Sequence, residues 1–469
     1  MKFSASSILF CVSLMIACPV FGAESLDINV EFKRGQQHRV QMQFEHEGKV
    51  VMLKDPERDN DEFRTLPMKT IAKLGYHQRY TGGDKDVQGI RFYDQAAGKY
   101  EILKGRAGRS LADDNRLVVV RAKAKTGKHI QMASVTGTLA QHELELLRNP
   151  ADPLSLAFLV NKKNAEVGKS WKPSDDSVAN FLAVDRVIRN DLHVRLKEAN
   201  AKSALLHVTG KVRARIDDVS TDMEVAAIVK IQLGNTQQFS RAKMNVREIR
   251  QPGQVAPGFD GKSSISMEIK PDNTCPQLTK DALVRHTKGR VIEQRLQWSS
   301  PGVNLKYDPR WHVIASEDEA AIMRFVSEGD LLAQCNVVQL PARPANRPLT
   351  LKEYRTEVAR MIAADDVATI VDAKEFKTSA VKGLSVVVEG EEQGVPVNWI
   401  YYHLNGNDGR RLTFVFTLER EVMNQFLPAD RKLVDGLAFS PRPTARKTAG
   451  RSANSRPSAK KPATTSSRR

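Results

Sequence analysis

Cys335 and His403 are the side chains best suited to covalent chemistry, since each lies in an apolar, strand-like run and neighbouring strands could bring thiol, imidazole and an acid together. The same context argues against a nucleophile: a thiol among apolar side chains has a raised pKa and stays protonated, so Cys335 reads as a core residue. The ten histidines include no HExxH and no pair at zinc-ligand spacing, and no metal site is expected. The acidic run Asp55 to Glu62, DPERDNDE, lacks the central Gly and terminal Glu spacing of an EF-hand loop and reads as a solvated loop. No GxSxG, Walker A or dinucleotide fingerprint occurs, and Thr81-Gly82-Gly83-Asp84 opens no helix that would aim N–H groups at phosphate. No catalytic, cofactor-binding or metal-binding residue is assigned, and the chain reads as non-enzymatic.

Binding is the chemistry that remains. Trp311, Trp399, Tyr401 and Tyr402 are the candidate lining of a ligand cleft, although core packing accounts for most of them, because Trp399 and Tyr401 alternate with Ile400 and Tyr402 along one strand. His193, Arg195, Lys211, Arg213 and Arg215 share one face of two predicted strands, as a cationic surface or, the favoured reading, a solvated outer face. The candidate polyanion-binding residues are Arg442, Arg446, Lys447, Arg451, Arg456, Lys460, Lys461, Arg468 and Arg469. They lie in a tail with almost no apolar bulk, which cannot bury enough surface to fold. The tail serves either as a solubilising spacer or as a salt-sensitive tether to anionic lipid, polysaccharide or nucleic acid. No aromatic residue is interleaved to stack on bases, which counts against nucleic acid. Its nine cations leave +8 of the net +17 for the preceding 440 residues, an ordinary surface excess.

The chain start, MKFSASSILFCVSLMIACPVFGAES, places Lys2 before an apolar run and small residues at Gly22 and Ala23, the pattern of a signal peptide over residues 1–23. Met15-Ile16-Ala17-Cys18 resembles a bacterial lipobox, with Pro19 unfavourable after the Cys, so lipid anchoring at Cys18 is the alternative to cleavage after Gly22 or Ala23. Either route exports the protein, to the periplasm or beyond. No later stretch is apolar for the roughly 20 residues of a membrane-spanning helix. Cys275 and Cys335 then remain in the mature body, either as a disulfide or, the favoured reading, as a linker thiol and a core thiol.

At 469 residues, with 41% hydrophobic and 27% charged content, several folded units are expected. Period-two runs predict an antiparallel β-rich region over 24–270, as one unit or two divided near 140–175. Its strands are expected at Leu26–Phe32, Val40–Phe44 and Val50–Met52, with turns at Gly35 and at Glu47-Gly48, then at Ile90–Tyr93 and Lys99–Leu103 joined by DQAAG. Short helices are predicted around Leu144 and Leu154, and a third begins with Ser174 as N-cap. Residues 271–304 read as a connector holding one strand, Arg290 to Trp298. Over 305–439, three strands, a helix opened by the capping box Thr350-Leu351-Lys352-Glu353, four strands and a closing helix broken at Pro428 give an antiparallel sheet packed by two helices. The fold class is thus α+β and multidomain, with residues 440–469 as a disordered basic tail.

The order of elements over 305–439, with the phrases DPRWHV, EGDLLAQCNV, NWIYYHL and TFVFTLE, resembles the PsbP-like α/β/α sandwich. That resemblance implies a binding or assembly module without an active-site motif. The whole chain also resembles secreted bacterial proteins that join a β-rich N-terminal region to this module, which implies no reaction. The expectation is a secreted, non-enzymatic envelope protein that binds or assembles with a partner, either an envelope protein, an anionic polymer or a membrane surface. A carrier of an apolar ligand within curved β-sheets is the alternative, and an unrecognised hydrolase the third.

Overall fold

The structure, a computed structural model, describes residues 25–53, 63–82, 86–123, 130–287, 293–363, 368–378 and 381–440. The N-terminal part holds β1 (Ser25–Ile28), β2 (Gln37–Leu53), β3 (Phe63–Tyr80), β4 (Asp86–Ile102), β5 (Gly105–Ser110), β6 (Leu117–Lys123) and β7 (Gln131–Ser134). Two helices, α1 (Gln141–Leu147) and α2 (Pro153–Val160), precede β8 (Lys162–Glu166), β9 (Ser170–Trp171) and α3 (Asp175–Leu182). Then come β10 (Arg186–Asn190), β11 (His193–Ala199), β12 (Ser203–Ile216), β13 (Val219–Gln232), β14 (Gln238–Arg250) and β15 (Gly258–Pro271). Apart from the β1–β8 pair, these strands form one antiparallel sheet, ordered β7-β6-β4-β3-β2-β15-β14-β13-β12-β11-β9, with β5 beside β4 and β10 beside β12. Two meanders, β2 to β7 and β10 to β15, meet where β2 pairs with β15 over fourteen residue pairs.

Strict alternation makes this sheet two-faced: along β13 every second residue from Thr221 to Ile231 is buried. The inner face packs on α1, α2 and α3. Helix α2, PLSLAFLV, is apolar all round, as suits a helix with protein on every side. Its start is set by Pro153 at the first turn and by Asp152, whose Oδ1 accepts the Leu154 N–H at 3.0 Å. Helix α3 has its predicted N-cap, Ser174 Oγ accepting the Ser177 N–H at 3.3 Å.

A buried charge cluster joins α2 to the sheet. Arg91, 1% exposed, makes a bidentate pair with Asp152 at 2.7 and 2.8 Å and donates through Nε to Gln78 Oε1 at 2.7 Å. Its guanidinium also lies 4.6 Å from the centre of the Tyr76 ring.

The predicted turns at Glu47-Gly48 and DQAAG are not turns. Both lie inside long strands, and the physical reasons differ. Gly48 faces Gly261 across the β2–β15 seam, where a Cβ on Gly48 would run into the Asp260 carbonyl, so glycine serves close backbone approach there. In DQAAG, Asp94 is a bulge residue, because Tyr76 pairs with Tyr93 while Gly75 pairs with Gln95.

The stretch read as a connector is also structured. A short 3-10 turn at Pro276–Leu278 and α4 (Lys280–Thr287) place Cys275, Leu278 and Leu283 against Ile90, Leu117, Val119 and Val135 on the outer face. The predicted strand lies later, as β16 (Leu296–Ser300). It pairs with β17 (Val303–Tyr307), which pairs with β25 (Leu437–Phe439).

Next come β18 (Trp311–Ser316), β19 (Ala320–Ser327), β20 (Asp330–Leu340), α5 (Leu351–Ile362), β21 (Thr369–Lys377), β22 (Lys382–Glu392), β23 (Val395–Asn405) and β24 (Arg411–Glu419). The seven strands form one antiparallel sheet, ordered β18-β19-β20-β24-β23-β22-β21. The capping box is present: Thr350 Oγ1 accepts the Glu353 N–H at 3.3 Å and Glu353 Oε2 the Thr350 N–H at 2.9 Å. The closing helix is divided at Pro428 into α6 (Met423–Phe426) and α7 (Ala429–Asp435). Mostly antiparallel sheets with interspersed helices thus build the described chain. None of its helices is long and apolar enough to cross a membrane.

Both the β16-β17-β25 sheet and the seven-stranded sheet contact the N-terminal part. Leu139 bridges to Leu296, with Gln297 donating to the Leu139 carbonyl at 3.1 Å. Arg215 donates to the Gly329 carbonyl at 2.7 Å and lies 3.3 Å from Asp330.

Beneath α5, His403 is 1% exposed, with Nε2 at 3.2 Å from Asn405 Oδ1 and its ring 5.2 Å from that of Tyr354. Burial pushes its pKa down to about 4; the Asn405 contact opposes this, and Arg411 and Arg343 reinforce it. An exposed imidazole in the unfolded chain titrates near ~6.5, so between these values the unfolded state binds the extra proton. The stabilisation is therefore complete above pH ~6.5 and is lost as pH falls toward the native value. Urea unfolding from pH 7 to 4 should show the native chain losing about 3 kcal/mol more than His403→Gln. Parallel losses in the two proteins would refute the linkage.

Candidate functional site

The sheet through β20, β24 and β23 separates Cys335 from His403. Cys335 pairs with Phe416, which pairs with Ile400, and all three belong to the core on the α6–α7 side. His403 lies with Tyr354 on the α5 side. Burial, with the Asp430 carboxylate nearby, pushes the Cys335 thiol well above its usual pKa. The conceivable thiol–imidazole arrangement is therefore not formed. Cys275 and Cys335 are both free and buried in different clusters, so the disulfide alternative is not realised either, and Cys275 is a packed thiol of the outer-face cluster.

The four candidate cleft aromatics divide between the same two faces. Trp311 packs with Phe325, Phe416 and Phe426 at ring distances of 5.0, 5.8 and 6.0 Å. Tyr402 is on that side too, stacked edge-on to Phe416 and donating to Asp430 Oδ2 at 2.7 Å. Trp399 and Tyr401 are half-buried against the cluster under α5. The cationic strand face is largely engaged: Arg195 donates to the Gly168 carbonyl, Arg213 pairs with Asp222, and Arg215 reaches Asp330. The nine tail cations and the Asp55–Glu62 run lie outside the described residues.

Sequence reasoning missed a cleft of about 670 Å³ where the end of the large sheet meets α4. Among the described residues four cations line it: Arg34, Arg79, Arg121 and Lys280. They come from the turn before β2, from β3, from β6 and from α4. No carboxylate occurs among its described lining residues, which are completed by Gly35, Tyr80, Thr81, Gln88, Ile90, Val119, Leu283 and Val284.

Local structure fixes these side chains around one opening. Gly35 has φ +88°, a conformation that favours glycine, and its N–H bonds the Tyr80 carbonyl at 2.8 Å, which ties the Arg34 turn to the end of β3. Arg79 donates to the Leu278 carbonyl at 3.3 Å, linking β3 to the α4 segment. Gln88 pairs with Arg121 across β4 and β6, and Thr81 Oγ1 donates to the Gln88 carbonyl at 3.3 Å. Four like charges held in a recess, with no acid among its described lining residues, raise the local potential for an anion. Arginine forks can address its oxygens two at a time. The one sequence signal was Arg34-Gly35, which marks a turn but says nothing of the partners that chain folding brings to it.

A second polar group lies on the inner face, nine residues along β2 from this end. His46 Nδ1 is 2.6 Å from Ser263 Oγ, and Glu248 lies 3.5 Å from Arg250. Burial, aided by Arg250, lowers the His46 pKa, and burial raises that of Glu248. With Ser263 buried, the contact ties β2 to β15.

No protein-family model and no curated protein matches the chain. Among solved structures, the cyanobacterial PsbP (CyanoP) of Synechocystis sp. PCC 6803 is similar over 31% of this chain and 92% of its own, at 12% identity and a TM-score of 0.26. The MucA/MucB complex structure of Pseudomonas aeruginosa covers 87% of this chain and 95% of its own, at 14% identity and a TM-score of 0.17. A Rh. blastica porin mutant covers 81% and 99%, at 8% identity and a TM-score of 0.11. The PsbP-like likeness is thus weak and confined to part of the chain, and likenesses at these scores assign no activity.

Proposed function

We propose that this protein is an exported, non-enzymatic binding protein of the cell envelope whose body and basic tail both engage anionic partners. The observation that carries this reading is the cleft formed by Arg34, Arg79, Arg121 and Lys280 with no carboxylate in its described lining. Neither Arg121 nor Lys280 has an ion-pair partner among the described residues. The apolar-carrier alternative draws less support, since the inner face that such a ligand would need is filled by α1, α2 and α3.

Full-length protein, protein ending at Ser440 and the triple variant Arg34→Gln/Arg121→Gln/Lys280→Gln should be compared for binding to anionic and zwitterionic vesicles over a salt series. Each cation near an anionic surface contributes about 1 kcal/mol, so the triple variant should bind anionic vesicles roughly 100-fold more weakly. Tail deletion should weaken binding further and flatten its salt dependence. If the tail accounts for all of the binding, the body has no part and the reading fails.

A further inference from the structure

Resting on that anion-binding reading, we infer that the cleft between α4 and the ends of β3, β4 and β6 is a site for a phosphomonoester carried on a non-aromatic body. The number of its cations gives the first reason. Arg79 and Arg121 stand on the same sheet face on either side of β4, Arg34 comes from the turn before β2 and Lys280 from α4, so four positive charges meet at one recess. A carboxylate offers two oxygens in one plane, whereas a phosphomonoester offers three tetrahedral oxygens and a charge of about −1.5 to −2 at neutral pH. It can accept from several guanidiniums and an ammonium at once and neutralise more of their charge than a monoanion can.

The rest of the lining describes the body that bears the phosphate. At about 670 Å³ the cleft has the size of a small-molecule site, with space beyond a single oxoanion. The one aromatic among its described lining residues, Tyr80, is 2% exposed and stacked on Phe32 at 4.6 Å, so it offers no free ring face to a nucleobase or sugar ring. Val284 gives an exposed aliphatic wall, and Thr81 and Gln88 are polar neighbours able to meet hydroxyls. Glycerol or another polyol fits this lining, either free or as a lipid headgroup.

The test uses the full-length chain in about 0.15 M salt, near physiological ionic strength. Vesicles of phosphatidic acid, a phosphomonoester, are compared with phosphatidylglycerol vesicles, a diester, at matched surface charge, so that the tail contributes equally to both. Glycerol 3-phosphate is titrated separately by calorimetry. Phosphatidic acid should bind at least tenfold more tightly, and Arg121→Gln/Lys280→Gln should remove that preference with the unfolding midpoint unchanged. These substitutions delete no hydrogen bond among the described residues. Competition by glycerol 3-phosphate identifies a free polyol phosphate as sufficient; preference without competition assigns the lipid headgroup. Equal binding to both vesicles, weakened equally by the double substitution, overturns the phosphomonoester inference while leaving the anion reading intact. Binding unaffected by the double substitution, together with no change in the triple variant above, overturns both.

Discussion

Arg91→Met is expected to destabilise the protein by about 3–5 kcal/mol, because it leaves the Asp152 carboxylate buried with only the Leu154 N–H as a partner. The native pair is bidentate and fully enclosed, so water cannot replace the guanidinium. Removing both charges should be far milder. Arg91→Met/Asp152→Ser keeps a hydroxyl to cap α2 and should recover all but about 1–2 kcal/mol, the remainder reflecting Gln78, whose Oε1 loses the Arg91 Nε donor. Denaturant unfolding of the two single variants and the double gives the coupling directly. Additive losses would show that the pair contributes nothing beyond its separate parts.

Trp311→Ala should cost a similar amount, about 3–5 kcal/mol, since it empties a site enclosed by Phe325, Phe416 and Phe426. Trp399→Ala, on the other face and half-buried, should cost about 1–2 kcal/mol, as only part of its apolar surface leaves water. The contrast separates core aromatics from ligand-facing ones. If Trp311→Ala left stability intact but abolished binding of a ligand, the indole would belong to a site after all.

These two expectations show what the chain sequence makes legible. Local signals were strong where a few neighbouring residues decide the outcome: the Thr350 capping box, the Ser174 cap and the alternation along β13 all appear where periodicity and side-chain chemistry require them. Signals failed where a distant strand decides. Gly48 resembles a turn residue until Gly261 is placed opposite it, and Asp94 marks a bulge only because β3 runs past β4 with one residue fewer. The anion cleft was hidden for the same reason. Residues 34, 79, 121 and 280 share no periodicity, and only the packing of α4 on the sheet brings them together. Arg91, an outwardly ordinary strand arginine, likewise reveals its burial only through Asp152, sixty-one positions away.

The β2–β15 seam bears on how the molecule reaches this state. Each meander can zip from its own hairpins, but Gln41 must find Glu268 across more than two hundred residues before the halves become one sheet. The closure entropy grows only logarithmically with that length, yet the search is slow, and non-local pairing of this kind delays folding. Until it finishes, β2 and β15 are both open edges, each with a row of unpaired backbone groups that another molecule could satisfy. Misassembly during folding should therefore concentrate at this seam, where the facing glycines Gly48 and Gly261 supply no side chain to obstruct an intruding strand.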